Sequence, residues 1–474
     1  MAGIGVVMQT GRSGMMAAKA NIGTSGHNIT NANTEGFTRQ RVHQSANHGY
    51  PKPGNVSDVG RGVLVSRVER VNDEYLDKQI RNCFKSLSEF EEKDLALTQL
   101  EDVFNELNGD GINRVVANFF NEFRKLSNEP DSEAVREAVR ESTNAMVNDF
   151  KRIYKEVDDI RKHIDTKVDG YAREINSTAV EIRDLNLKIK TLELSGGSPG
   201  DLLDRRDVLL KKLGSYFDTQ VHKDRNGAVI VDIKGIGPFI TSGETEQMIA
   251  ETSPADNEGK YEGSVDLKTT ASVSSVITHR LTGGKMGGLL NVRDKTLSMI
   301  MERLDDLAYG ITEAVNTVHR QGFDRNGNTG INYFKQLDTK HRAAEYISLS
   351  EHIEDNVNHI AAAASPESPG DNRIATAIAR IQNIRFLNGG NATADDWYNA
   401  MVSDTGVVAA RNRSDLNQQK SIMAQFNRMR DSISGVSIDE ETANLLLYQH
   451  AFDASAKVIQ VADNMLKTIL DLKR

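Results

Sequence analysis

Proline, cysteine and aromatic residues are all scarce in this chain. Only 8 prolines occur in 474 residues, where an average usage of about 5% would place roughly 24. Aromatic side chains make up 6% of the chain and charged ones 26%, with a mean hydropathy of -0.48. This balance disfavours a mostly β protein and points to long helices, because proline interrupts a helix interior while sheets draw on aromatics. Cys83 is the only cysteine, so an intramolecular disulfide or a cysteine-rich metal site is excluded. No run of 18 apolar residues occurs, and membrane insertion is not expected. Residues 1–22 lack the charged, apolar and cleavage regions of a signal peptide, so none is expected. The net charge of -9 carries no basic face of the kind that binds nucleic acid. The 38% hydrophobic fraction suggests elongated layers rather than one thick core.

The few prolines also mark where helices can run. Between Pro130 and Pro199 a seam recurs in steps of 3 and 4: Met146, Phe150, Ile153, Val157, Ile160, Ile164, Val168, Tyr171, Ile175, Ile182, Leu185, Ile189 and Leu192. Thr178 fills its one gap, and a stutter falls between Ile164 and Val168. At 1.5 Å per residue the seam predicts a rod of about 70 Å. A second seam opens at Leu76, Ile80, Cys83, Leu87 and Phe90 and resumes toward Leu107, which makes Cys83 a buried small apolar residue. A third runs through Leu297, Ile300, Leu304, Leu307, Ile311, Ala314 and Val318. After Pro366 and Pro369, Ile374–Leu387 and a polar stretch around Trp397–Ile433 again read as helical.

Between these helical blocks, residues 217–283 read as β. Val229, Val231 and Ile233 alternate, a Thr- and Ser-rich run follows from Lys268 to Thr278, and Pro238 and Pro254 fall within the segment. Asn226-Gly227 predicts a two-residue hairpin. The expected fold class is therefore mainly α with an inserted β domain: an elongated, coiled-coil-like bundle of long helices with its amino- and carboxyl-terminal helices paired.

The ends carry the most informative patterns. Ile4, Met8, Gly11, Met15, Ala18 and Ile22 form one stripe. The last helix, predicted to open on a capping box at Ser437–Glu440, carries two seams. Leu445, Tyr448, Phe452, Ile459, Ala462, Leu466 and Ile469 form one; Leu447, Ala451, Ala454, Val458, Val461, Met465 and Leu472 form the other. Such a face is too wide for a single partner helix. Either the helix closes its own bundle, or the two ends pair and pack against other subunits, staying mobile in the free monomer until they do.

Asn28-Ile29-Thr30-Asn31-Ala32-Asn33-Thr34-Glu35-Gly36-Phe37-Thr38-Arg39 resembles the amino-terminal signature of the bacterial flagellar rod, hook and hook-associated proteins. Asparagines suit a helix exit, and Gly36 suits left-handed geometry after it. Ser434–Glu441, Ala443-Asn444-Leu445, Tyr448-Gln449 and Ala454–Ile459 are similar to the hook-associated members at the other end. So are Asp201–Asp207, Gly287–Leu290 and Asp371-Asn372-Arg373 in the interior. The resemblance spans the chain. It implies a structural, non-enzymatic subunit exported through the flagellar type III route with an export chaperone. Such a subunit forms a ring of its own copies between hook protein on one side and the next hook-associated protein and the filament on the other. It also implies a tube-forming terminal domain (1–65 and 436–474), a long-helix domain (66–216 and 284–435) and an outer β-rich domain (217–283). The assembly motif would be Asn28, Asn31, Asn33, Thr34, Gly36 and Phe37. The assembly faces would be Ile4, Met8, Met15, Ile22, Leu445, Tyr448, Phe452, Val458, Ile459, Val461, Leu466 and Ile469. Another axial flagellar subunit of hook or rod type, or a generic coiled-coil surface protein, is the alternative.

No catalytic constellation stands beside these patterns. Gly196-Gly197-Ser198-Pro199-Gly200 matches a nucleophile elbow in letters, but it follows a helical seam rather than a strand. Asp324–Gly330 is similar to a calcium loop with its glycine displaced and Lys335 where the bidentate glutamate belongs. Gly283-Gly284-Lys285 lacks the spacing and the Ser/Thr of a phosphate loop. No cofactor and no metal are expected.

Overall fold

The computed structural model describes residues 2–47, 60–105, 111–224, 227–253, 264–272, 275–368 and 370–471. Pro51, Pro53, Leu107, Asn226, Pro254, Pro369 and Leu472, which figure in the sequence patterns above, lie outside the described residues. The first part of the chain runs α1 (Ala2–Asn31), β1 (Gln40–Ala46), β2 (Val63–Arg70), α2 (Glu74–Asn105), α3 (Ile112–Asn128), α4 (Glu133–Leu194) and α5 (Gly200–Gly214). Five short strands follow: β3 (Thr219–Lys223), β4 (Val229–Ile233), β5 (Gly237–Ile240), β6 (Met248–Thr252) and β7 (Val265–Thr269). The helices resume with α6 (Gly284–Asn291), a π-helical stretch (Val292–Leu297) and α7 (Ser298–His319). After these come α8 (Ala343–Tyr346), α9 (Glu351–Asp355), α10 (Arg373–Arg380), α11 (Ala394–Ser434) and α12 (Ile438–Asp471).

The chain is thus mainly α with a few small antiparallel sheets, as expected. α4 has 62 residues, about 93 Å at 1.5 Å per residue. Its seam from Met146 to Ile189 is buried apart from half-buried Tyr171. Thr178 sits in the seam gap, with its hydroxyl donating to the Glu174 carbonyl at 2.8 Å. Cys83 is buried with Leu76, Ile80, Leu87, Leu416 and Met423, where α2 meets α11.

The strands pack on α4. β3, β4 and β5 form one antiparallel sheet, and β6 and β7 another. Val229, Val231, Phe239, Met248 and Leu267 belong to the same apolar core as Ile153, Ile164 and Leu304. Two asparagines on α4 dock these strands. Asn176 Nδ2 donates to the Met248 carbonyl at 2.8 Å while its Oδ1 accepts from Met248 N at 2.7 Å. Asn186 treats Val229 in the same way, at 2.9 and 3.2 Å, and Asn316 on α7 treats Phe334 so. A carboxamide offers the same donor and acceptor as a peptide group, so it satisfies both polar atoms of a strand residue that meets a helix.

Several local expectations are corrected. The strands flanking the expected Asn226-Gly227 hairpin pair as far as Lys223 with Val229, and Asp224 N donates to the Ala228 carbonyl at 2.9 Å, while Asn226 itself lies outside the described residues. Gly227, in left-handed geometry, ends the connection. The Lys268–Thr278 run is strand only to Thr269 and continues as a 3-10 turn, Thr270–Ser272. Helix after Arg373 ends with a 3-10 turn at Asn383, and Leu387 closes a bend through an isolated bridge to Ala392. Ser437 does accept from Glu440 N, at 3.4 Å, but the Glu440 carboxylate bonds Arg39 instead of completing the box. A complete capping box stands at Thr393–Asp396, at the start of α11. The hairpin β1–β2, with Val42 facing Val68, lies inside a segment read only as helical.

Candidate functional site at the paired chain ends

α1 and α12 lie antiparallel along each other. Two small residues let the backbones meet: a Cβ on Gly11 would stand 2.7 Å from Ile459 Cγ1 and 3.1 Å from the Ser455 carbonyl, and one on Gly14 would stand 2.6 Å from Ser455 Oγ. Ala17, Ala18 and Ala462 are buried in the same contact. Ile4, Met8, Met15 and Ile22 are half-buried toward α12, and Leu445, Tyr448, Phe452 and Ile459 half-buried toward α1. A Gly11→Leu chain should therefore lose this pairing, at a cost of about 3 kcal/mol from overpacking. Limited proteolysis should then cut residues 2–31 and 438–471 early while α4 survives; equal protection of the ends in variant and parent would contradict the contact.

The second seam of α12 is bare. Leu447, Val458, Val461 and Met465 expose 61%, 41%, 50% and 52% of their surface, and Ala451 and Ala454 beside them are exposed. Leu466 and Ile469, from the first seam, are also exposed.

The asparagine-rich signature folds back on the chain. α1 ends at Asn31. Asn28, 1% exposed, holds Gln40 by the same amide device, with Nδ2 to the Gln40 carbonyl and Oδ1 from Gln40 N, both at 2.9 Å. Asn31 Nδ2 donates to the His27 carbonyl at 3.0 Å, and its own carbonyl accepts from Thr34 N at 2.9 Å. Gly36 has φ +79°, and a Cβ there would come 2.2 Å from Val208 Cγ2. Phe37 lies edge-on to His27. Asn33 is exposed.

Sequence reasoning missed what this turn grips. Asp201, Asp204 and Asp207 recur every 3 residues on α5, a spacing that puts carboxylates on one helical face. Thr38 donates to Asp204 through N at 3.1 Å and Oγ1 at 2.5 Å. Arg70 Nη1 donates to Asp204 at 2.6 Å and Asp207 at 2.9 Å. Gln40 Nε2 donates to Asp201 at 2.8 Å. Desolvation pulls the Arg70 guanidinium down, but Asp207 and Asp204 outweigh it and hold its pKa above the ordinary value. Arg39 reaches the other end of the chain, pairing with Glu441 at 2.7 Å and Glu440 at 2.9 Å. There too desolvation is overcome, by the hydrogen bond donated to Glu440 and the charges of both glutamates.

The catalytic look-alikes have structural roles. Ser198 sits in the connector from α4 to α5 and donates to the Val68 carbonyl at 2.7 Å. Asp324 closes a turn, accepting from Asn326 N and Asn328 N at 2.8 and 2.7 Å and meeting His359 Nδ1 at 2.8 Å. No group of three His, Cys, Asp or Glu residues able to hold a metal occurs among the described residues. No described helix is long and apolar enough to cross a membrane.

Comparison with known proteins places this architecture. Residues 97–334, half of the chain, match the model of the flagellar hook-associated protein FlgK helical domain. Residues 430–472 match that of the flagellar basal body rod FlgEFG protein C-terminal region. Flagellar hook-associated protein 1 of Bacillus subtilis is 26% identical over 98% of this chain and 97% of its own. That of Salmonella typhimurium is 24% identical over 97% and 98%. The solved structure of the flagellar hook junction protein FlgK from Burkholderia pseudomallei superposes with a TM-score of 0.67 at 15% identity, covering 75% of this chain and all of that one. With both ends paired, a long-helix body between them and the helical-domain match across that body, the chain belongs to the flagellar hook-associated protein FlgK family.

Proposed function

We propose that this chain is a structural, non-enzymatic subunit of the junction between flagellar hook and filament. Copies form a ring, with hook protein on one side and the next hook-associated protein and the filament on the other. The observation that carries this reading is the unequal cover of α12: α1 occupies one seam, while Leu447, Val458, Val461 and Met465 stand in solvent on a helix already paired. A soluble monomer gains nothing from such a stripe, whereas a subunit of a tube uses it against neighbours. On this reading residues 1–65 and 436–474 line the tube and residues 66–216 and 284–435 form the surrounding layer, with 217–283 outward. Export by the flagellar type III route, with a chaperone covering the apolar ends, belongs to the same proposal.

Removal of residues 440–474 tests it. The truncated chain should stay folded, since the body carries its own core, and should fail to cap purified hooks in electron micrographs where the full chain succeeds. Hook tips decorated by the truncated chain would overturn the proposal.

A further inference from the structure

Among the described residues, the terminal unit, comprising α1, the β1–β2 hairpin and α12, shares no apolar core with the rest of the chain. Neither core cluster includes a residue before Leu76 or after Met423. What joins the two parts among the described residues, apart from the chain connections themselves and Gly36 against Val208, is polar. It consists of Thr38 and Arg70 on Asp204, Arg70 on Asp207, Gln40 and His27 on Asp201, Ser198 on the Val68 carbonyl, and Arg39 N on the Ser434 carbonyl at 3.0 Å. Beneath this joint opens a cavity of about 650 Å³ lined by Glu35, Gly36, Asp204, Lys211, Tyr216 and Arg430. Apart from Gly36 on Val208, the turn therefore borders a cavity rather than a close-packed core.

We infer that this joint is a latch with Asp204 as its pin, and that the terminal unit swings as a rigid body when the latch opens. Asp204 is 6% exposed and accepts three hydrogen bonds, all from the terminal unit. Among the described residues Arg70 is the single cation that binds it. An apolar interface yields gradually as area is lost, whereas a few directional bonds around one carboxylate hold or release together. Polar interfaces within a chain permit relative motion in this way. Inside the terminal unit, the α1–α12 contact and the Arg39 pairs with Glu440 and Glu441 keep its parts together through the motion.

The full-length chain with Asp204→Asn, and separately Asp204→Ala, tests the latch by amide hydrogen exchange. Labels at Lys162→Cys and Lys457→Cys, in a Cys83→Ala background, report distance by fluorescence transfer. Exchange at Arg39, whose N–H bonds a body carbonyl and not Asp204, should quicken about tenfold or more, the effect of losing a charge-assisted bond. The α4 amides from Ile153 to Leu185 should keep parental protection, and the label distances should broaden. Faster exchange at Thr38 alone, with unchanged distances, would reduce Asp204 to a local hydrogen-bond acceptor and overturn the latch. Loss of α4 protection in step with Arg39, or global unfolding of either variant, would make the joint part of one cooperative fold and overturn it equally.

Discussion

With Val458→Lys and Val461→Lys together, the chain should melt as the parent does and yet fail to decorate hook tips. Both positions are exposed in the monomer, at 41% and 50%, where substitutions change stability by about 0.5 kcal/mol or less. On the proposed assembly, the same stripe meets a neighbouring subunit. Each valine withdrawn from water contributes about 1.5 kcal/mol or more, and an ammonium buried there without a partner costs about 2 kcal/mol or more in addition. The pair then weakens the contact by about 7 kcal/mol, roughly five orders of magnitude in affinity. Circular dichroism melting and electron microscopy of purified hooks check the two halves of the expectation. Parental decoration by the doubly charged chain would remove the bare seam from assembly. A Phe452→Lys chain is the informative contrast, because Phe452 faces α1 and its loss should loosen the monomer's own ends.

Gly284→Val should be the most destabilising single change in the body. Gly284 has φ +63°, and a Cβ there would lie 2.5 Å from the Tyr216 carbonyl carbon, 2.6 Å from Phe217 N and 2.6 Å from the Ser215 carbonyl oxygen. All three atoms are backbone, so no rotamer change relieves the clash. The first turn of α6 is held there by Lys285 N and Met286 N, which donate to the Ser215 and Tyr216 carbonyls at 2.8 and 2.9 Å. Left-handed geometry in a β-branched residue and overpacking add to about 4 kcal/mol, a fall of at least about 5 °C in Tm. Gly390→Ala separates the two causes: its φ is +88° but the nearest atom to a Cβ is 3.9 Å away, so strain alone remains, about 1 kcal/mol. Calorimetry that ranks the two variants equally would show that the close approach at Gly284 relaxes.

Much of the body was legible from apolar spacing. The α4 seam and the burial of Cys83 both follow from a period of 3 and 4 residues, which decides which side chains share a helical face, and the end of that seam marks the connector around Ser198. The doubled seam of α12 was legible for the same reason. Polar side chains were not, because their partners lie far along the chain. Asn28, Asn176, Asn186 and Asn316 look alike in sequence, and each docks a different backbone segment through one amide. Glu440 has the spacing of a capping residue, but Arg39, brought close by the antiparallel ends, competes for it and wins. The β1–β2 hairpin escaped notice because its strands are largely exposed and show little apolar alternation.

The sequence alone thus determined that this is a long-helix protein with two apolar faces on its final helix, since helical periodicity is local and survives without knowledge of the fold. Only the tertiary structure decided which of those faces the chain covers itself. Gly11 and Gly14 admit α12 on one side of α1, and nothing among the described residues reaches the other, because how closely two backbones approach is a property of the packed pair.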